Sequence, residues 1–246
     1  GPANVVFYGE NLENLTIANL TVVGSGSANT YGIYIGKANT TINIDSVTAD
    51  NFDMGIVITS TTNSQVCNCH CSNCIREGIY IKQESSGYPT GYNNHVRNCL
   101  VHDCARYCIS IENNDESTVS GCRCYNGGFG GIHHESPDGD NRIGIFNNTI
   151  EQPDPLHGVG IVATDVVYAS IIGNHIIGGE SGIQCINGVI AYNFIEGCTR
   201  SIRAHDSAVI GNTIIGTGID ELMGTAINGG YLIAHNTITN VGGTGS

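Results

Sequence analysis

The stretch Val209-Ile210-Gly211-Asn212-Thr213-Ile214 carries a pattern, apolar-x-x-Asn-x-apolar, that returns along the whole chain. Anchored on its first apolar residue, copies begin at Ile17, Ile42, Val66, Val96, Val119, Ile145, Ile171, Ile190, Val209 and Ile233. Successive anchors lie 19 to 30 residues apart, a spacing at which internal repeats stack as the coils of a solenoid. Each coil also holds a Gly-Ile-x-apolar segment, with its isoleucine at Ile33, Ile56, Ile79, Ile109, Ile132, Ile161, Ile183, Ile202 and Ile227. Successive side chains of a strand point to opposite faces, so these isoleucines are expected to form one inward stack.

Laid along the chain, the repeat sorts the polar residues into columns. Asn148, Asn174, Asn193, Asn212 and Asn236 share one in the later coils, where stacked amides can bond to one another and tolerate a left-handed corner. The same column reads Leu20, Asp45, Cys69, Cys99 and Cys122 in the earlier coils. Cys71 and Cys124 fall in the next apolar column beside Val22, Val47, Val101 and Ile150, and Cys74, Cys104 and Cys198 fall three residues further on. The run from Cys67 to Cys74 has spacing that would suit a metal, but its columns read it as small interior filler, and no metal site is assigned. Disulfides between stacked neighbours, Cys74 with Cys104 or Cys69 with Cys99, are open by spacing, and the odd total of 11 cysteines leaves at least one thiol unpaired.

A net charge of -13 with only 9 basic residues argues against nucleic acid as a partner, because phosphate recognition needs clustered Lys and Arg. No apolar run is long enough for membrane insertion by a helix. The opening Gly1-Pro2 reads as a tag remnant, residues 1–16 as that remnant with a lead-in strand, and 17–246 as the solenoid.

These two segments per coil resemble the right-handed parallel β-helix superfamily with its pectate-lyase-like architecture, from Ile17 to Val241. The resemblance implies an all-β, single-stranded right-handed parallel β-helix solenoid of about ten coils. It also implies open strand edges at the ends, to be capped by flanking domains or by an oligomer such as a trimer, and an extracellular or cell- or virion-surface location. The architecture carries lyases, hydrolases, epimerases, tailspikes and adhesins, so it does not by itself name a reaction. The polygalacturonase motifs Gly-His-Gly and Arg-Ile-Lys are absent, and Asp154-Pro155-Leu156-His157 departs from the epimerase Asp-Pro-His-Asp by an inserted leucine and a missing second aspartate.

Chemistry is expected on the outward side of the Gly-Ile-x-apolar strands. There the columns bring Tyr80, Lys82, Ser110, Glu112, His133 and Glu135 together over three coils, with Arg203 and His205 on the same face further along. In the resembling enzymes this sheet floors a sugar groove, which implies a polysaccharide partner. The insertion over 83–93, with Tyr88 and Tyr92, would wall it, and the loop 136–141 would leave it beside Glu135. Glu112 and Glu135 are candidate acid and base or nucleophile. They could equally hold a calcium ion with loop carboxylates, calcium being the possible cofactor. Lys82 or His133 could instead abstract a proton from a uronate whose carboxylate Arg203, His205 or a metal neutralises. His134 is expected to point inward. The competing reading is a non-catalytic glycan-binding or structural module, in which Lys82, Glu112 and Glu135 only balance charge across strands.

Overall fold

One corner recurs in every coil. The computed structural model describes residues 4–37, 39–83, 90–136, 142–152, 154, 157–216 and 225–239. The residue two places after each anchor is left-handed: Asn19, Ser46, Asn68, Asn98, Gly121, Asn147, Gly173, Tyr192, Gly211 and His235 have φ between 53° and 71°. Glycine takes this conformation without a Cβ clash and asparagine tolerates it, which explains why they fill most of these corners. The left-handed residue is therefore the one before the asparagine column, and the column asparagine itself turns inward.

All strand pairings are parallel, and they arrange the chain in three faces. The anchors stack on the second face as Ile17, Ile44, Val66, Val96, Val119, Ile145, Ile171, Ile190, Val209 and Ile233. The second-coil anchor is thus Ile44 and not Ile42. Both are apolar and buried, so hydrophobicity does not separate them; the left-handed corner at Ser46, two residues past Ile44, does. The shift carries through the coil. Ala49, not Val47, stands between Val22 and Cys71 on the third face. Asp45 leaves the interior column and accepts a hydrogen bond from Asn68 Nδ2 at 2.8 Å.

The first face is built from Tyr31–Gly36, Met54–Thr59, Ile79–Lys82, Tyr107–Glu112, Gly130–Glu135 and Val159–Thr164, followed by the leading halves of Ser181–Ala191 and Arg200–Ile210. Val5–Glu10 from the lead-in adds a strand in register with Tyr31–Gly36, so stacking begins before Ile17. The expected isoleucine stack runs unbroken from Ile33 to Ile227. Members from Ile33 to Ile202 are fully buried, each contributing roughly 2 kcal/mol of hydrophobic stabilisation.

Polar groups at the second corner are satisfied along the stack. Asn193 Oδ1 accepts from the Asn174 backbone N–H at 2.9 Å and from Asn174 Nδ2 at 3.0 Å, while Asn193 Nδ2 donates to the Ile171 carbonyl at 3.0 Å and to Asn212 Oδ1 at 2.9 Å. Asn148, Asn174 and Asn212 repeat the arrangement. Where the column changes residue, Cys122 N–H still donates to Asn148 Oδ1, and Cys99 N–H donates to Cys122 Sγ at 3.4 Å. All eleven cysteines are free thiols, ten of them buried. The stacked pairs considered for disulfides remain thiols that donate to interior groups, as Cys69 does to the Cys67 carbonyl at 3.1 Å.

Asn193→Ala would take the acceptor from the buried Asn174 N–H and the side-chain donor from the Ile171 carbonyl, and would remove one bond each from Asn174 Nδ2 and Asn212 Oδ1. The expected loss is about 3 kcal/mol or more, read as a drop in Tm of roughly 6 to 12 °C for a domain of this size. Asn193→Cys should lose less, since a thiol already serves this column at Cys122.

Candidate functional site

Outward side chains on the first face fall into two columns by register. Tyr80 pairs with Ser110 and Ser110 with His133; Lys82 pairs with Glu112 and Glu112 with Glu135. The patch expected from sequence is therefore contiguous. The Tyr80 hydroxyl donates to Glu112 Oε2 at 2.5 Å. Ser110 Oγ lies 2.9 Å from His133 Nδ1 and 3.5 Å from Glu112 Oε1. His133 sits between the two carboxylates, with Nδ1 4.0 Å from Glu112 Oε1 and Nε2 3.6 Å from Glu135 Oε2. Lys82 Nζ lies over the Tyr80 ring, 5.3 Å from its centroid.

Burial divides these groups. The His133 side chain is only 9 % exposed and Glu135 is 42 % exposed. Burial lowers the His133 pKa, against the pull of Glu112 and with the help of Arg106, so the ring is neutral near pH 7. Burial, followed by the nearby Glu112 and Asp165 carboxylates, raises the Glu135 pKa. Burial and then Glu112 push the Tyr80 hydroxyl upward as well, which keeps it a hydrogen-bond donor.

Two supporting residues were not anticipated from sequence. Tyr107 stacks on His133 with ring centroids 4.3 Å apart and planes 10° from parallel. It opens the strand Tyr107–Glu112 opposite Gly130, where a Cβ would clash first with the Val159 carbonyl and then meet the Tyr107 ring at 3.1 Å. The small residue across from the tyrosine is the signal that could have revealed it. Glu77, 1 % exposed, pairs with Arg106 at 3.0 Å, and burial raises its pKa. It lies in a turn, outside both columns.

Other expected members are elsewhere. Arg203 and His205 stand three strands beyond His133 and Glu135, with Val162, Thr164, Gln184 and Ile186 between them. They line a shallow depression of about 240 Å³ with Thr164, Gln184 and Asn228. Tyr92 is in a short corner sheet beside Asp115, and its hydroxyl donates to Glu116 at 2.7 Å. Tyr88 lies outside the described residues, as do the rest of 84–89 and 137–141. Among the described residues no group of three or more His, Cys, Asp or Glu side chains is arranged to hold a metal ion.

The architecture agrees with a family pattern for right-handed β-helix regions, which matches residues 89–245. The chain belongs to the right-handed β-helix family. No curated protein matches its sequence at a significant level. Among solved structures, DFA-IIIase from Arthrobacter chlorophenolicus A6 in complex with GF2 is similar at a TM-score of 0.63 and 14 % identity, covering 95 % of this chain and 69 % of that one. The mannuronan C-5 epimerase AlgE6 A-module of Azotobacter vinelandii is similar at a TM-score of 0.51 and 14 % identity, covering 100 % and 80 %. Alginate lyase from Paenibacillus sp. str. FPU-7 is similar at 0.51 and 13 % identity, covering 99 % and 91 %. At such identities these right-handed β-helix neighbours share the fold, and their chemistry does not transfer by likeness.

Beneath the patch, His134 occupies the inward column between Ile111 and Ala163 and is fully buried, as alternation required. Neither ring nitrogen makes a hydrogen bond of good geometry, and only a weak interaction with the Ile111 backbone reaches the ring. Burial, and secondarily His133, lower its pKa from 6.5 to about 3. The unfolded chain therefore binds a proton that the folded protein refuses. Stability is fully present above pH 6.5 and is lost as the pH falls toward 3, with a slope on the order of 1 kcal/mol per pH unit. Denaturant melts of His134→Leu should show this part of the acid slope removed and, at neutral pH, no loss of stability, since two poorly bonded polar atoms leave the core.

Proposed function

We propose that the first face is the active site of a glycoside-cleaving enzyme acting on a neutral glycan, with Glu135 as general acid and Glu112 as its partner carboxylate. The observation that carries this reading is the unequal setting of two glutamates on adjacent in-register strands. Glu112 is oriented by the Tyr80 hydroxyl and approached by Ser110, whereas Glu135 is more exposed and has its pKa raised. Environments that separate two carboxyl groups in this way assign acid and base roles. Neighbouring strands stand about 4.8 Å apart, which fits the separation of about 5 Å used by retaining enzymes better than the wider inverting gap.

In this mechanism Glu135 gives its proton to the glycosidic oxygen as the bond to the anomeric carbon breaks. The Glu112 carboxylate attacks that carbon from the other side. Water then displaces Glu112, losing its proton back to Glu135. His133 is a positioning residue: with Nδ1–H donated to Ser110, its Nε2 lone pair faces the Glu135 carboxyl group, while Tyr107 holds the ring flat. Ser110, Tyr80 and Lys82 complete the floor.

Uronate elimination or epimerisation is less well supported. Arg203 and His205, the cations meant to neutralise the uronate, lie three strands away, roughly 14 Å, and the net charge of -13 repels polyanions. A panel of neutral glycans and uronates, assayed for reducing ends and unsaturated products with and without calcium, tests the choice. Reducing ends from a neutral glycan are expected. Glu112→Gln should lose at least about 1000-fold in kcat; Glu135→Gln should lose about 100-fold or more on natural substrates but far less on aryl glycosides whose leaving group needs no proton. Turnover by both variants at the parent rate, or none by the parent on any substrate, would remove this assignment and favour a binding module.

A further inference from the structure

The third face carries a second constellation that the proposed reaction does not use. His70, in the strand His70–Ser72, and His102, in Leu100–Cys104, occupy diagonal outward positions on consecutive coils, because His70 pairs with Leu100 and Ser72 with His102. Their rings converge with Nε2 2.8 Å from Nε2 and centroids 5.0 Å apart. His102 is firmly held. It stacks on Tyr125 at 4.3 Å with planes 6° apart, and its Nδ1 lies 2.6 Å from Asp103 Oδ2. Asp103 is anchored in turn by Asn126 Nδ2 at 2.6 Å.

We propose that His70 and His102 form a binding site for a divalent transition-metal ion that imidazole ligates, such as nickel(II), copper(II) or zinc(II). A carboxylate behind the far nitrogen of an imidazole fixes its tautomer and orients its ring, which is the usual support of a metal-ligating histidine. With Nδ1–H given to Asp103, His102 Nε2 presents a lone pair. His70 donates its Nε2–H to that lone pair when the site is empty. On metal binding the His70 proton moves to Nδ1 and both Nε2 atoms ligate, so no net proton is released.

The rings meet nearly head-on, with Nε2 atoms 2.8 Å and centroids 5.0 Å apart, so an ion bonded to both nitrogens at about 2.0 to 2.1 Å requires the two rings to tilt toward it. Imidazole suits copper(II), nickel(II) and zinc(II) alike. Asp50, held as a carboxylate by hydrogen bonds from Asn73 and Ser72, and Asp103 supply negative charge beside the ion. Both histidines are half-buried, so water can fill the remaining positions. The site lies within the run that begins at Cys67, but its chemistry belongs to the one side chain there, His70, that faces outward beside His102.

Calorimetric titration of the intact protein with nickel(II), and then zinc(II), tests the proposal, with far-UV dichroism to confirm that each variant is folded. One nickel per chain is expected. His70→Asn and His102→Asn should each abolish that binding, and Asp103→Asn, which touches no ligand atom, should weaken it about 10- to 100-fold. Cys67→Ser and His175→Ala, which remove a half-exposed thiol and a distant surface imidazole, should leave it intact. No stoichiometric nickel binding by the parent, binding that survives both histidine substitutions, or binding lost in Cys67→Ser would overturn the site. Folded alanine variants at 70 and 102 replace the asparagine ones if either of those misfolds.

Discussion

A peptide N–H buried at the second corner of the coils from Cys99 to Asn212 is the constraint on which the later part of the solenoid depends. An unpartnered buried donor costs about 1 to 3 kcal/mol, and neighbouring strands cannot satisfy it because the chain is turning. The inward asparagine of the next coil does so, with Asn174 N–H on Asn193 Oδ1 and Asn193 N–H on Asn212 Oδ1. Because the bond runs along the stacking direction, it ties each coil to the next at one residue. Coil lengths can then differ while the columns stay straight, as the interval from Val119 to Ile145 and the shorter one from Ile171 to Ile190 show.

Straight columns make a solenoid useful as a scaffold. The coil that carries Lys82 is longer in sequence than its neighbours, yet Lys82, Glu112 and Glu135 remain in register. Depth differs along each strand: His133 is packed under Tyr107 and Glu135 is at the rim, and this sets two carboxyl groups of the same kind in different surroundings. The buried and poorly bonded His134 below them costs stability, an expense that apolar neighbours in its column avoid.

The cysteines illustrate how position overrides spacing. From Cys67 to Cys74 the sequence has the look of a metal-binding run, but Cys69, Cys71 and Cys74 are buried filler in the stack. Thiols stand where later coils have amides because a sulfur atom can accept the same corner N–H, as Cys122 does from Cys99. The outward positions of the same strands carry the polar chemistry, His70 and His102 among them.

Much of the architecture was legible in one recurring hexapeptide, since strand alternation and the need for left-handed corners leave a strong trace in residue choice. The isoleucine column, the outward columns of the first face and the inward His134 all follow from that period of two. Two kinds of fact did not. Ile42 and Ile44 are interchangeable to hydrophobicity, and only the three-dimensional register decided between them through the corner at Ser46. The partners Tyr107 and Glu77, the removal of Tyr92 to a corner sheet and the meeting of His70 with His102 are contacts across coils from outside the repeat's columns or diagonal to them. Sequence thus determined which face each repeating residue occupies, because that is a local property of the backbone. Tertiary structure decided which side chains touch, because contact depends on ring orientation, burial and neighbours many residues away.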